Sequence, residues 1–270
     1  MEVVAEAVDG ELRPGTAPRT VLRTVLRTVR SHGQALAVRR TTPEGTGTGA
    51  DGAAHVHLVG TAAGPMGGDV VEVRLVVGPG ARLEVAAVAA TVVLPSRAEA
   101  RAELRLEADV APGGLLVCAM PPVVVTGRAG LAATTRVRRV GDGQVRLVEH
   151  VRLGRHGEPG GWWQGRLDVT RDGVAVLRQT TTLGAVPDDG IRELRSDLDT
   201  RPRPGDAAGS GAPTAVEDAD PWTVRLEPAA GGRLVVTLGP GDGEGPRPGA
   251  RTRLTPPFAR RVQRQVVRAP

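Results

Sequence analysis

The feature that most constrains the fold is a succession of short Val- and Leu-rich segments between about residues 55 and 184. Gly, Pro and Asp residues divide these segments, which is the pattern of β-strands joined by tight turns. Residues 70–77 alternate apolar and charged side chains and end at Gly78-Pro79-Gly80, which predicts a strand with one wetted face. The more continuous apolar run over residues 81–94 indicates burial on both faces. The block is therefore predicted to be mainly β.

Further strands are predicted at residues 102–110, 115–120, 123–126, 131–140, 144–153, 165–170 and 174–183. The dipeptide Asp172-Gly173 between the last two is a strong hairpin signal. Residues 20–29 repeat with a period of four, which suits a helix, but their β-branched side chains suit a strand equally well. Both alternatives stay open for that segment.

The composition changes along the chain and predicts three parts. Residues 1–190 form the β-rich domain, and residues 191–220 are interpreted as a flexible linker or insertion, because residues 200–220 are rich in Pro, Gly, Ala and acids. Residues 221–270 hold a predicted hairpin and a basic tail. The tail from residue 251 has six Arg and no acid, and is interpreted either as an amphipathic helix or as a disordered segment.

Composition excludes several classes of chemistry. All 35 basic residues are Arg, and without Lys there is no Walker-type phosphate loop, no Schiff base and no kinase-type lysine. A single cysteine, Cys118, excludes a disulfide framework. The acidic start of the chain and the lack of an apolar stretch of ~18 residues lead us to expect a cytoplasmic protein without a membrane segment. An aliphatic core is expected, since the chain has one Phe, three Trp and no Tyr.

Two alternative functions would each use a particular set of residues. His55 and His57 would project from one face of a strand, and with His150 and Glu149 they could serve a metal-dependent hydrolase on a β scaffold. Two histidines without a third ligand are more often a polar strand face. A nucleic-acid-binding module would use the Arg-rich tail, but four aromatic residues supply no stacking platform. No Ser lies in a Gly-x-Ser-x-Gly elbow.

Two glycine clusters, residues 64–69 and 157–161, mark places where the backbone takes conformations closed to other residues or where something approaches closely. Composition does not decide between tight turns and docking loops. At these clusters the chain resembles the UreD (also called UreH) family of urease accessory proteins, as a divergent, actinobacterial-like member. The resemblance covers about residues 53–185 and rests on the order of these elements: Ala63-Gly64-Pro65-Met66-Gly67-Gly68-Asp69, Val77-Gly78-Pro79-Gly80-Ala81, Ala89-Ala90-Thr91, Glu149, Gly154-Arg155, Gly157-Glu158, Gly165 and Arg171-Asp172-Gly173.

The resemblance implies a mainly β protein of stacked or helically wound sheets (β-helix or sandwich-like) with a small helical part. It further implies a non-enzymatic scaffold or chaperone that links apo-urease to a UreF-type protein and a UreG-type GTPase during nickel insertion. On this interpretation the chain has no cofactor and no catalytic residue, GTP belongs to a partner, and nickel passes transiently through an internal passage. The candidates for partner docking or nickel passage are Gly67, Gly68, Asp69, Glu149, Arg155 and Glu158.

The chain also departs from the family pattern. Where many members carry an acidic and an aromatic residue in a Leu-Glu-Trp/Tyr-Leu-Pro-type stretch, those positions fall on Val117 and Cys118. The carboxylate of that stretch is therefore lost. Glu149 and Glu158 become the carboxylates to examine in its place.

Overall fold

The computed structural model describes residues 2–8, 19–23, 36–41, 53–97, 101–120, 122–184, 191–201, 214–217, 223–227 and 233–239. These residues form strands and turns and contain no helix. The strands are β1 (Glu2–Val8), β2 (Arg19–Arg23), β3 (Leu36–Thr41), β4 (Ala54–Gly60), β5 (Val70–Val77), β6 (Arg82–Ala87), β7 (Thr91–Val93), β8 (Arg101–Val110), β9 (Leu115–Ala119), β10 (Val123–Val125), β11 (Gly130–Arg139), β12 (Gln144–Leu153), β13 (Trp162–Arg171), β14 (Val174–Leu183), β15 (Glu193–Asp199), β16 (Thr214–Glu217), β17 (Thr223–Glu227) and β18 (Arg233–Gly239).

The strands form two sheets. Sheet A has the order β14-β13-β11-β8-β5-β1-β2, and sheet B has the order β16-β17-β18-β15-β12-β9-β6-β4-β3 with β10 and β7 attached through β12. The middle of each sheet is parallel: β5, β8, β11 and β13 stack in sheet A, and β4, β6, β9 and β12 stack in sheet B. Because the chain alternates between the two stacks, it winds in successive coils, as a β-solenoid does. This confirms the mainly β fold of stacked, wound sheets.

Three crossings from sheet A to sheet B, from β5 to β6, from β8 to β9 and from β11 to β12, are tight turns that need glycine. Gly80, Gly113 and Gly141 have φ of 64°, 68° and 58°, in the left-handed region that favours glycine. The Asp142 Oδ1 atom accepts a hydrogen bond from Gly113 N–H at 2.7 Å, and Asp172 Oδ1 accepts one from Gly141 N–H at 2.7 Å. One coil therefore caps the turn of the coil before it.

The core lies between the two sheets and is aliphatic apart from Trp163, as the composition predicts. Strand β5 alternates buried and less buried residues, which confirms its predicted wetted face. The prediction for residues 81–94 was wrong, because β6 also alternates and the run breaks into two strands around Val88, which is 65% exposed. The hairpin at Asp172-Gly173 is confirmed by the antiparallel pairing of β13 with β14.

The structure corrects other expectations, and some concern residues outside the described part of the chain. The small helical part is absent from the described residues, and the basic tail over residues 251–270 lies outside them. Residues 193–199, interpreted as the start of a linker, form β15 between β12 and β18 in sheet B. Residues 19–23 form a strand paired with β1, while residues 24–29 lie outside the described part. In the described ranges we find no helix that could cross a membrane.

Candidate functional site

A cavity of about 240 Å³ lies between the sheets, next to β7 and β10. Its wall is mostly apolar and comes from both sheets and from the loop after β4. The lining residues are Leu36, Leu58, Gly60, Ala62, Gly64, Pro65, Val71, Val73, Ala87, Ala89, Ala90, Thr91, Leu104, Leu106, Met120, Val123, Leu131, Ala133, Thr135, Leu147, Val148, Glu149 and His150. Small side chains such as Ala89 and Ala90 leave room that larger residues would fill.

Beside this cavity, β12 pairs with two different strands in turn. Gln144–Val148 pair with β9, and Val151–Leu153 pair with β10. Glu149 and His150 fall between the two ladders, and the alternation of buried residues along β12 is interrupted there. Both residues border the mostly apolar cavity. Because neighbouring side chains on a strand alternate, Glu149 shares the inward face of β12 with buried Leu147 and Val151, whereas His150 faces outward.

Glu149 is the carboxylate of this cavity. It has no hydrogen bond or ion pair within the described part of the chain, and burial raises its pKa to about 7 from the ordinary 4.5. The group is therefore divided between its neutral and ionised forms near neutral pH. The neighbouring His150 differs, because its Nε2 atom bonds Glu193 Oε1 on β15.

A second, smaller pocket of about 20 Å³ lies on the other side of Glu149. Its wall includes Trp163, Gln179, Thr181 and Ser196, all of them buried. Gln179 Nε2 donates to Thr181 Oγ1 at 3.0 Å, whereas Trp163 Nε1 is buried without a partner in the described structure. A space of this size holds about one water molecule. Glu149 thus lies between the mostly apolar cavity and a small pocket with a partly polar wall.

The first glycine cluster, residues 64–69, forms a tight turn that is hydrogen-bonded to the next coil. Gly68 has a φ of 92°, and its N–H donates to Arg101 O at 2.7 Å. Asp69 is 7% exposed, and its Oδ2 atom accepts from Met66 N–H at 2.8 Å. Gly67 N–H donates to Leu94 O at 3.2 Å. The Asp69 carboxylate is therefore directed into its own turn.

An ion pair between Arg155 and Glu158 lies at the second glycine cluster, residues 157–161. Arg155 Nε donates to Glu158 Oε2 at 2.8 Å and Arg155 Nη2 donates to Glu158 Oε1 at 3.2 Å. Arg155 N–H also donates to Glu158 Oε2, at 3.1 Å. These hydrogen bonds to Arg155 lower the pKa of Glu158 to about 2 from 4.5. Both oxygens of this carboxylate are occupied within the turn.

The six candidates do not meet in one place. Glu149 lines the cavity, while Gly67, Gly68, Asp69, Arg155 and Glu158 do not. The loop contributes to the cavity through Gly64 and Pro65 instead. Sequence reasoning missed the role of Ala89 and Ala90 and the buried polar cluster around Gln179, because small or uncharged residues in a strand pattern give no signal of a cavity.

The histidine pair and the cysteine do not form a metal site. His55 Nδ1 lies 3.1 Å from Glu84 Oε2, and His57 Nδ1 lies 2.9 Å from Thr41 Oγ1, both on the outer face of sheet B. Within the ranges that the structure describes, no three His, Cys, Asp or Glu side chains are grouped to hold a metal ion. Cys118 is buried, and burial raises the pKa of its thiol to about 12, which makes it a poor nucleophile.

Comparison with known proteins gives a consistent result. The family model described as "UreD urease accessory protein" matches residues 9–202. A urease accessory protein UreD of Parafrankia sp. (strain EAN1pec) is 39% identical over 200 residues, which cover 69% of this chain and 67% of the relative. A UreD 1 protein of Saccharopolyspora erythraea is 39% identical over 140 residues, covering 52% of this chain and 55% of the relative.

A UreD protein of Frankia alni is 45% identical over 106 residues, covering 39% of this chain and 36% of the relative. The aligned stretches thus cover from 36% to 67% of the lengths of these three relatives. The family match extends over most of the chain and includes the solenoid coils, the cavity and both glycine clusters. The chain belongs to the UreD family of urease accessory proteins.

Proposed function

We propose that this chain is a non-enzymatic scaffold that links apo-urease to a UreF-type protein and a UreG-type GTPase for nickel insertion into urease. Its membership of the UreD family supports the accessory role. The sequence has no Lys and no phosphate-binding loop, so GTP hydrolysis is assigned to a partner.

The observation that carries the proposal is the cavity with Glu149 on its wall. We propose that nickel passes through this cavity and that Glu149 is the point where the ion is briefly held. Carboxylate oxygen is a suitable ligand for Ni²⁺, and Glu149 offers one on the cavity wall. The rest of the wall is mostly apolar, so the ion would be held weakly and could move on.

The protonation state of Glu149 suits such a transient contact. With a pKa of about 7, the carboxyl group exchanges its proton near neutral pH. An arriving cation favours the ionised form and displaces the proton, and departure of the cation allows the proton to return. A carboxylate with a fixed ion pair, such as Glu158 with Arg155, would first have to break that pair.

The test is co-expression with a urease operon, with and without this gene, followed by the nickel content and activity of the purified urease. Loss of both without the gene is the expected result. Unchanged nickel content without the gene would contradict the accessory role in nickel insertion.

The passage is tested by Glu149→Gln, with Glu158→Gln as the matched control. At limiting nickel we expect Glu149→Gln to lower the nickel content of urease and Glu158→Gln to leave it unchanged. Excess nickel should restore the nickel content of urease made with Glu149→Gln, because a higher nickel concentration speeds a slow passage. If the variant had instead lost an interface with a partner, added metal would not restore it. Equal nickel contents for both variants and the unmodified protein would contradict the role of Glu149.

A further inference from the structure

Strand β14 forms an open edge of sheet A. It pairs with β13 on one side, and no strand of the described residues pairs with its other side. In such an edge strand, alternate residues direct their backbone N–H and C=O groups away from the sheet, where they are available to another strand.

Apart from a β-bulge at Val176, where the pairing with β13 shifts register, this edge has little of the usual protection against strand addition. Proteins often blunt an edge with charged side chains or a short strand. Strand β3, at one edge of sheet B, is six residues long and carries exposed Arg39 and Arg40. Strand β14 is ten residues long and has one charged side chain, Arg178. The rest of it is rich in Val and Thr, which favour β-structure, and Val174 is 65% exposed.

A row of alternating charges crosses the outer face of sheet A and ends at this edge. Arg74 on β5 is in register with Glu107 on β8, and Glu107 with Arg136 on β11. Arg136 is in register with Asp168 on β13, and Asp168 with Arg178 on β14. The charges therefore read positive, negative, positive, negative, positive toward the open edge.

The last member of this row has no partner. Asp168 Oδ2 accepts from Arg166 Nε at 2.7 Å, and Arg178 is exposed without an ion pair in the described part of the chain. One more strand beyond β14 would continue the alternation if it placed a carboxylate opposite Arg178. Opposite charges at directly facing positions stabilise neighbouring strands, and like charges destabilise them.

We propose that β14 binds an extended segment of a partner protein as an added strand, with an Asp or Glu of that segment opposite Arg178. A second copy of this chain is a poorer occupant. Antiparallel pairing of two β14 strands about a two-fold axis near their centre would place the two Arg178 side chains opposite or diagonal to each other. The charge row therefore favours a carboxylate-bearing segment over self-pairing.

The test uses the full chain and two synthetic peptides. Both have nine residues of alternating Thr and Val, and they differ at the central position, which is Glu in one and Arg in the other. At about 1 mM peptide, a concentration that detects weak binding, we measure amide hydrogen exchange across the chain and the affinity by fluorescence anisotropy. The expected result is slower exchange in residues 174–183 and about threefold tighter binding of the Glu peptide.

The variant Arg178→Glu should reverse this preference, and Arg178→Gln should abolish it. Arg178 is exposed and unpaired in the described structure, so neither change should disturb the fold, and circular dichroism checks this. The comparison of the two peptides on the unmodified chain needs no variant. The proposal is overturned if neither peptide slows exchange in residues 174–183, or if both bind equally. The proposal is also overturned if, without peptide, exchange in residues 174–183 becomes slower as the protein concentration rises. That result would show that a second copy of the chain binds β14.

Discussion

The indole ring of Trp163 packs over the backbone of Gly165, two residues further along β13, so that a Cβ atom on Gly165 would overlap the ring. Trp163 is 1% exposed and is enclosed by the core, so its ring has little freedom to move aside. The glycine is thus required by the packing of the largest side chain in the core. It also bounds the small pocket beside Glu149.

Gly165→Ala is therefore expected to lower the free energy of unfolding by about 1–3 kcal/mol, the usual cost of overpacking a core. Urea denaturation followed by tryptophan fluorescence measures the change. Gly60→Ala is the matched control, because the nearest atom to a Cβ there is Ala62 O at 3.9 Å. Equal stability of the two variants would show that Trp163 repacks without cost.

Asp69→Ala is expected to destabilise the turn after β4. The change leaves Met66 N–H without its acceptor, and an unsatisfied backbone donor costs about 1–3 kcal/mol. Asp69→Asn keeps an acceptor oxygen and should lose less. Thermal unfolding of both variants measures the difference. If Asp69→Ala instead folds as stably as the unmodified protein but fails to assemble with urease and the accessory proteins, Asp69 has a docking role.

Stability is expected to depend on pH through Glu149. Burial raises the pKa of this carboxyl group from 4.5 to about 7, so the folded chain binds more protons than the unfolded chain between these values. The free energy of unfolding should therefore fall as the pH rises from about 4.5 to about 7 and then level off. Glu149→Gln should remove this fall and be the more stable protein at pH 8 by about 3 kcal/mol.

Urea denaturation at several pH values measures this dependence. Glu158→Gln is the control, because the pKa of Glu158 is lowered to about 2. The contribution of Glu158 to the free energy of unfolding is therefore lost only as the pH falls below 4.5. Parallel stability profiles for Glu149→Gln and the unmodified protein above pH 4.5 would show that Glu149 titrates normally.

The isolated protein is expected to bind Ni²⁺ weakly. The described residues contain no group of three metal-ligating side chains, and His55 and His57 make separate contacts with Glu84 and Thr41. Isothermal titration calorimetry with nickel measures the affinity, and one tight site would contradict this. Replacing His55 and His57 together with Ala should leave urease activation intact. Lost activation with unchanged folding would assign the pair a function.

The sequence alone determined where most strands between residues 70 and 183 begin and end. Strand β5 matches its predicted range, and β12 and β14 match residues 144–153 and 174–183. The Asp172-Gly173 hairpin is present, with Asp172 and Gly173 at φ of 51° and 80°. These features are local, since alternation along a strand and glycine in a tight turn depend only on neighbouring residues. The resemblance at the glycine clusters added the wound sheets and the family.

Only the tertiary structure decided which strands pair and what the pairing encloses. A period-two pattern is the same for a strand that pairs with its neighbour in sequence and for one that pairs a whole coil away, so β5 gave no sign of β8 as its partner. The same holds for β15, which fell within the predicted linker over residues 191–220 but is a strand paired with β12 and β18. The cavity has a similar origin. Glu149 borders it at the point where β12 changes partners. That change involves three strands brought together, which no single stretch of sequence contains.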